Sequence, residues 1–232
     1  MNTALILSGG TGTRLGADIP KQYLMAGGKP LIAYCIETLS MHDMIDTIWI
    51  VADAAWQERL IQWLHKADRN KKFRGFSKPG ANRQLSVFHG LEDIRKSASD
   101  DDIVLIHDAA RPLLTHQMIT DCIEGMRGHE GVLPVLPMKD TIYQSEDGRF
   151  VSSLLDRKKL FAGQAPECFV LGRYLEANRK LLPDKILAVN GSTEPAVLAG
   201  MDIVMIKGDE RNFKITTQAD LDRFCRWLNE KD

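Results

Sequence analysis

Residues 3–21 read Thr3-Ala4-Leu5-Ile6-Leu7-Ser8-Gly9-Gly10-Thr11-Gly12-Thr13-Arg14-Leu15-Gly16-Ala17-Asp18-Ile19-Pro20-Lys21. An apolar run of strand length empties into a glycine-rich turn that carries its own arginine and lysine. Gly9, Gly10, Gly12 and Gly16 free the backbone to take positive φ and to bring its N–H groups close to an anion. Arg14 and Lys21 add the full charges that a polyphosphate needs neutralised. On its glycines alone the stretch is equally an ordinary strand-to-loop connection. Spelling excludes two familiar phosphate loops. No Gly-Lys-Ser/Thr occurs for a Walker loop, and a dinucleotide fingerprint begun at Gly10 and Gly12 meets Leu15 where it needs a third glycine.

Working outward, short apolar runs alternate with stretches of helical period. Strands are predicted at Thr3–Leu7, Thr47–Ala52, Ile103–His107, Gly131–Leu136 and Asp202–Ile206. Leu31, Ile32, Cys35, Ile36 and Leu39 share one helical face behind Pro30. Ala55–Lys66, Arg83–Lys96, Thr115–Arg127 and Gln218–Asn229 read as further helices, the last capped by Thr217. This alternation predicts an α/β fold, a Rossmann-like, mostly parallel sheet with helices on both faces. Ligands of such sheets sit beyond the C-terminal strand ends, so the glycine loop and Asp108 are expected at one edge. One stretch breaks the rhythm. Thr141–Gln144 and Arg149–Ser152 read as two strands about an Asp-Gly turn, a β-hairpin arm within about residues 139–160. A lone hairpin is marginal in water, so it packs on a partner subunit or on its own domain.

The 232 residues suit a single domain over 1–232, and 44% hydrophobic residues supply a large core. Thirty Lys and Arg balance 31 Asp and Glu, so no global field favours nucleic acid or an anionic membrane. Cys35, Cys122, Cys168 and Cys225 form no C-x-x-C, which predicts free thiols in a reducing cytoplasm. No signal peptide is expected, and no apolar run approaches the roughly 20 residues of a membrane span.

Other charged groups fall at predicted loop positions. His107-Asp108-Ala109-Ala110-Arg111-Pro112 leaves a strand end with small residues that admit a ligand and charges of both signs. Asp108 suits a Mg2+ shared with phosphates or a substrate hydroxyl, and Arg111 a phosphate. Taken alone, the pair is also a surface salt bridge. Lys139-Asp140-Thr141, Asp156-Arg157 and the Asn212–Thr217 segment with Lys214 add further charges near that edge. Gly80 to Ser86 precedes a helix, where it either reads the polar edge of a base or simply caps that helix. No histidine pair has ligand spacing, and no Ser-His-Asp set is evident.

Together these motifs resemble the 2-C-methyl-D-erythritol 4-phosphate cytidylyltransferase family. The glycine loop with Arg14 and Pro20-Lys21-Gln22-Tyr23, then His107–Pro112, Lys139–Thr141, Asp156-Arg157 and Asn212–Thr217, match it in order over nearly the whole chain. The close relatives that make CDP-ribitol share almost all of this pattern. The resemblance implies a GT-A-type nucleotidyltransferase and a Mg2+-dependent homodimer. It gives Ser8, Gly9, Gly80 and Ser86 to the cytosine and ribose side, Gly10, Gly12, Arg14 and Lys21 to the triphosphate, and Lys214 to the reacting phosphates. Arg14, Lys21 and Lys214 would be the catalytic cations. Asp108, which also borders the nucleotide, Arg111, Thr141 and Ser192 would serve the acceptor, with Arg157 reaching across the dimer.

Three positions depart from the family pattern. Ala165 replaces the Thr of a Thr-Pro-Gln segment, Ser192-Thr193 stands for a Thr-Asp pair, and Ala81-Asn82 lacks the acidic residue that some members carry. The first two fall on the acceptor side. They keep ribitol 5-phosphate, or another polyol phosphate, beside the preferred methylerythritol phosphate. A nucleotide-binding regulatory protein without catalysis is the reading from outside enzymology, and joint retention of Arg14, Lys21 and Lys214 argues against it. No strong general base is required, because a phosphate monoester oxygen is already anionic when it attacks the α-phosphorus of CTP.

Overall fold

A computed structural model describes residues 1–10 and 19–230. The first half of the chain forms β1 (Asn2–Leu7), β2 (Met25–Ala26), β3 (Lys29–Pro30), α1 (Leu31–Met41), β4 (Thr47–Val51), α2 (Ala54–Ala67), β5 (Phe73–Ser77), α3 (Arg83–Arg95) and β6 (Ile103–Asp108). Then come α4 (His116–Glu124), β7 (Gly131–Pro137), β8 (Ile142–Gln144), β9 (Ser153–Leu155), β10 (Phe161–Gly163), β11 (Glu167–Val170), α5 (Leu171–Arg179), α6 (Thr193–Leu198), β12 (Ile203–Lys207) and α7 (Gln218–Asn229).

From Ala4 to Leu7, β1 is apolar at every position because both of its faces are covered. Ala4 and Ile6 join the core formed with Ile36 of α1, Leu60 of α2 and Ile119 of α4. Leu5, one residue out of phase, joins Val87 of α3 and Tyr174 of α5 on the other face. β4 and β6 flank β1 in parallel, and β5 lies parallel outside β4. β11 runs antiparallel between β6 and β7. Gly131 pairs with both Phe169 and Ile203, and Val135 with both Gly163 and Lys207. β12 therefore occupies one edge of β7, while β10 and β11 divide the other. Leu7 is in register with Val51 and with Asp108, so three strands end together and deliver the glycine loop and Asp108 to one edge. No helix among the described residues is long and apolar enough to cross a membrane.

Side-chain caps set the helix starts. Asp53 accepts from Ala55 N, Asn82 from Leu85 N and Thr115 from Met118 N. Thr217 and Asp220 form a reciprocal capping box on α7. α4 ends at Glu124, three residues short of the expected Arg127, because Gly125 caps it and Gly128 turns the chain at φ 81°.

Other expectations are corrected. The hairpin pairs Ile142 with Leu155, Tyr143 with Leu154 and Gln144 with Ser153. Arg149–Ser152 is thus loop rather than strand. Asp147 Oδ1 accepts the Arg149 and Phe150 amides at 2.8 and 3.0 Å, and Ser145 Oγ accepts the Gly148 amide at 2.9 Å. These local bonds take up the backbone groups that a tight hairpin would have paired. The arm leaves Phe150 76% and Val151 66% exposed, so its own domain does not cover them. β5, β10, β11, α5 and α6 had no counterpart among the expected elements.

α3 crosses β1 closely at Gly90, where an added Cβ would lie 2.6 Å from both Cδ atoms of Leu5. Gly90→Val is expected to overpack this contact by about 1–3 kcal/mol, which lowers Tm by about 2–12 °C in a chain of this size. Thermal melts followed by circular dichroism check it. An unchanged Tm would mean that α3 does not sit so tightly on β1.

Candidate active site

A cleft of about 570 Å³ opens at the edge where the parallel strands end. The end of β1 contributes Leu7, Gly9 and Gly10, the start of α3 contributes Gly80, Asn82, Arg83 and Ser86, and the end of β6 contributes Asp108 and Ala110. Lys21, Gln22 and Lys214 complete much of its lining.

The start of the glycine loop, Ser8 to Gly10, is held by a buried glutamine. Gln22 Nε2 donates to the Ser8 and Gly10 carbonyls at 2.7 and 2.8 Å. Ser8 Oγ donates to the Tyr23 hydroxyl, whose ring stacks on Trp56. Gly9 and Gly10 are not among the residues at positive φ. The reason for glycine at 9 is close approach, since a Cβ there would lie 2.6 Å from Pro79 Cβ. On the facing segment, Gly80 N donates to Ser86 Oγ, which itself donates to the Asn82 carbonyl. Asn82 therefore does cap α3, Ser86 in its first turns ties Gly80 to it, and the same turn also borders the cleft.

Asp108 organises the charges. Arg83 Nε and Nη2 donate to its Oδ1 at 3.1 and 3.0 Å, and Lys214 Nζ reaches Oδ2 at 2.9 Å. Arg111 Nε lies 3.7 Å from Oδ2. Burial alone would raise the Asp108 pKa. The charges of Arg83, Lys214 and Arg111 reverse that and hold the carboxyl well below the usual range. Backbone bonds set the cations in place: Ile215 N donates to the Ala110 carbonyl at 2.8 Å, and Arg111 Nη1 to the Asn212 carbonyl at 2.6 Å. His107 Nε2 donates to the Arg111 carbonyl at 3.0 Å. Burial pushes the His107 pKa down to about 4, which keeps the ring neutral near pH 7.

Of the residues expected from sequence, Gly9, Gly10, Lys21, Gly80, Ser86, Asp108 and Lys214 converge on the cleft. Ser8 is buried behind it, and Arg111 packs beside Asp108. Ser192 is buried and accepts from Arg83 Nη1. Gly12 and Arg14 lie outside the described residues. Thr141 stands before the arm and Arg157 after it, with Arg157 Nη1 donating to the Lys139 carbonyl at 2.7 Å. Neither lines this cleft. Sequence reasoning missed Arg83 and Gln22. The signal for Arg83 was a cation in the first turn of a helix, where the helix dipole disfavours it unless something else requires it.

Three cations from separate segments, Lys21, Arg83 and Lys214, line the cleft beside backbone amides and one carboxylate. Such a site suits a polyanion bearing several phosphates. Among the described residues, no group of three His, Cys, Asp or Glu side chains stands ready to hold a metal ion.

The family model for 2-C-methyl-D-erythritol 4-phosphate cytidylyltransferase matches residues 3–228. A bifunctional enzyme IspD/IspF of Granulibacter bethesdensis is 36% identical over 97% of this chain, which spans 56% of that longer protein. A ribitol-5-phosphate cytidylyltransferase of Lactiplantibacillus plantarum is 31% identical, with 98% of each chain covered. A solved structure of 4-diphosphocytidyl-2C-methyl-D-erythritol synthase from Anaerococcus prevotii superposes with a TM-score of 0.81 at 24% identity, covering 98% of this chain and 96% of that one. This last likeness concerns the fold.

Asp108→Asn is expected to destabilise the protein at pH 7 by about 1–3 kcal/mol, because it strands buried cations. The loss stays below that of a fully enclosed pair because the Arg83 and Lys214 side chains keep 32% and 34% exposure. Asp108 has a depressed folded pKa, so its stabilisation is complete above the unfolded carboxylate value near 4 and fades as pH falls below it. Urea midpoints of the two proteins should therefore differ at pH 7 and converge in acid. Equal midpoints at pH 7 would contradict the charge arrangement.

Proposed function

Since the chain belongs to the 2-C-methyl-D-erythritol 4-phosphate cytidylyltransferase family, enzymes that transfer CMP from CTP, we propose that its acceptor is 2-C-methyl-D-erythritol 4-phosphate. The observation that carries the mechanism is the convergence of Lys21, Arg83 and Lys214 with the Gly9–Gly10 backbone in one cleft. The phosphate monoester oxygen of the acceptor attacks the α-phosphorus of CTP, a P–O bond forms, and pyrophosphate leaves with the electrons of the broken bond. The protein contributes position and positive charge where phosphoryl charge develops, not a general base. Lys21 and Arg14 would face the triphosphate and Lys214 the reacting phosphates, while Gly80 and Ser86 would border the nucleoside. Asp108 and Arg111 would serve the acceptor.

Mg2+ would neutralise phosphate charge when bound with the nucleotide. The donor set fits an ion held mainly by the triphosphate, because the Asp108 carboxylate is already engaged by Arg83 and Lys214. Ribitol 5-phosphate is the second reading for the acceptor. Ala165 and Ser192-Thr193 keep it open: Ala165 is buried, lacks a hydroxyl and uses its carbonyl to hold Asn212 Nδ2 at 2.7 Å. We also propose that residues 1–232 act as one catalytic unit in the cytoplasm, since all four cysteines are unpaired thiols. The unit would be a homodimer joined through the arm, whose exposed Phe150 and Val151 need cover.

With CTP, Mg2+ and a panel of polyol phosphates, pyrophosphate release is expected to be fastest with methylerythritol phosphate and to stop with EDTA. Faster turnover with ribitol 5-phosphate would move the assignment to the second reading. Equal or better turnover with ATP across the panel would sink the cytidylyl assignment.

The arm generates a separate expectation. Lys21→Ala should lower kcat by about 10²-fold or more. Arg157→Ala should raise KM for the acceptor by about 10-fold or more, as loss of a charge-assisted hydrogen bond implies, with little change in KM for CTP. If Arg157 serves the neighbouring subunit, mixing the two variants should restore activity through hybrid dimers with one intact site. A monomer at micromolar concentration, or mixtures that never complement, would defeat the shared site.

A further inference from the structure

Glu167 opens β11 in the interior and is only 8% exposed. Its Oε2 accepts the Thr193 hydroxyl at 3.4 Å. The neighbouring Ser192 hydroxyl accepts from Arg83 Nη1 and also stabilises the Glu167 carboxylate. The remaining Arg83 nitrogens hold Asp108 Oδ1 at 3.1 and 3.0 Å. One guanidinium that lines the cleft thus binds a carboxylate at the cleft, Asp108, directly, and is linked through Ser192 to the field of a carboxylate in the interior, Glu167. The two belong to neighbouring strands, where Glu167 pairs with Ile106, two residues before Asp108.

We propose that Glu167 is a positioning residue acting through Arg83, and that its proton sets how much cationic charge the cleft presents to an acceptor phosphate. With Glu167 neutral, Arg83, Arg111 and Lys214 share one carboxylate. With Glu167 ionised a second negative charge lies behind Arg83 and Arg111, and the dianionic phosphate meets a weaker field. The inference rests on the reading of the cleft as a phosphate-transfer site.

The surroundings leave Glu167 as the group that changes charge near neutrality. Burial raises its pKa, Arg83 lowers it, Asp108 raises it, and Ser192 and Thr193 lower it, leaving it at about 7. Arg83 of α3 stays cationic, as burial is outweighed by Asp108 and Glu167. Arg111, after β6, is lowered by burial against the pull of Asp108, from a value high enough to keep its charge. Burial raises Tyr174 of α5 and Cys168 of β11, so both stay neutral. Asp108 stays ionised.

The test compares the wild type with Glu167→Gln from pH 5.5 to 8.5, measuring KM for the acceptor and for CTP. The second ionisation of the acceptor phosphate, near pH 6, affects both proteins alike and cancels in the ratio of their KM values. The ratio of wild-type to variant acceptor KM should be near one in acid and climb about 5–10-fold through pH 7. A ratio that is flat with pH in a folded variant means a structural role only and overturns the inference. Thr193→Val removes a donor to the ionised form, so it should move the wild-type inflection to higher pH. An inflection left in place counts against the inference as well. The Glu167 carboxyl signal of 13C-labelled protein supplies a readout that needs no turnover. It should titrate near pH 7, and added inorganic phosphate should shift that titration upward. A carboxyl silent from pH 5 to 9, or one indifferent to phosphate, sinks the proposal. Absence of turnover with every polyol phosphate would instead tell against the transfer reaction.

Discussion

The charge on Asp108 is the constraint on which the cleft depends. Arg83, Arg111 and Lys214 come from α3, from the loop after β6 and from the segment before α7. Two unit charges 4 Å apart interact by about 4 kcal/mol at an effective dielectric near 20, so three cations crowded together would push these segments apart. One carboxylate at the end of a central strand turns that repulsion into cohesion. It can do so because β6 is locked in register beside β1, which fixes the anion on the rigid part of the fold.

This arrangement also explains how the site can be strongly cationic in a chain whose formal net charge is −1. The positive charges are gathered by the fold rather than by composition. Charge that Asp108 does not neutralise is directed into the cleft, where Gly9 and Gly80 pack too closely on Pro79 and Leu85 to admit a side chain. Preorganisation of this kind is what phosphoryl transfer requires, because little covalent work falls to the protein.

The buried parallel strands were legible because their pattern is one of burial on two faces. Leu5 and Ile6 point opposite ways yet are both apolar, which only a doubly covered strand demands. The region from Phe161 to Val170 was not legible. There the pairing along β7 passes from β10 to β11 across Gln164, Ala165 and Pro166, so neither strand reaches a length with its own periodicity. In the arm, Asp147 captured two amides and displaced the expected turn, a contest between local and cross-strand bonds that composition does not decide. Within the site, Lys21, Asp108 and Lys214 stood out as charges at predicted strand ends or before a helix. Glu167 did not, because its role arises from Thr193 and Arg83, which are near it only in three dimensions.

The outer strands of the main sheet bear on whether copies of the chain can pair edge to edge. β5 and β12 flank it, each five residues long, and each carries a basic side chain, Arg74 and Lys207. Short, charged edges are poor templates for a strand from another molecule. Growth of the sheet from chain to chain is discouraged at both ends, while the apolar arm projects elsewhere. The fold thus separates two kinds of stickiness, silencing the indiscriminate backbone kind and keeping a side-chain kind that can be selective about its partner.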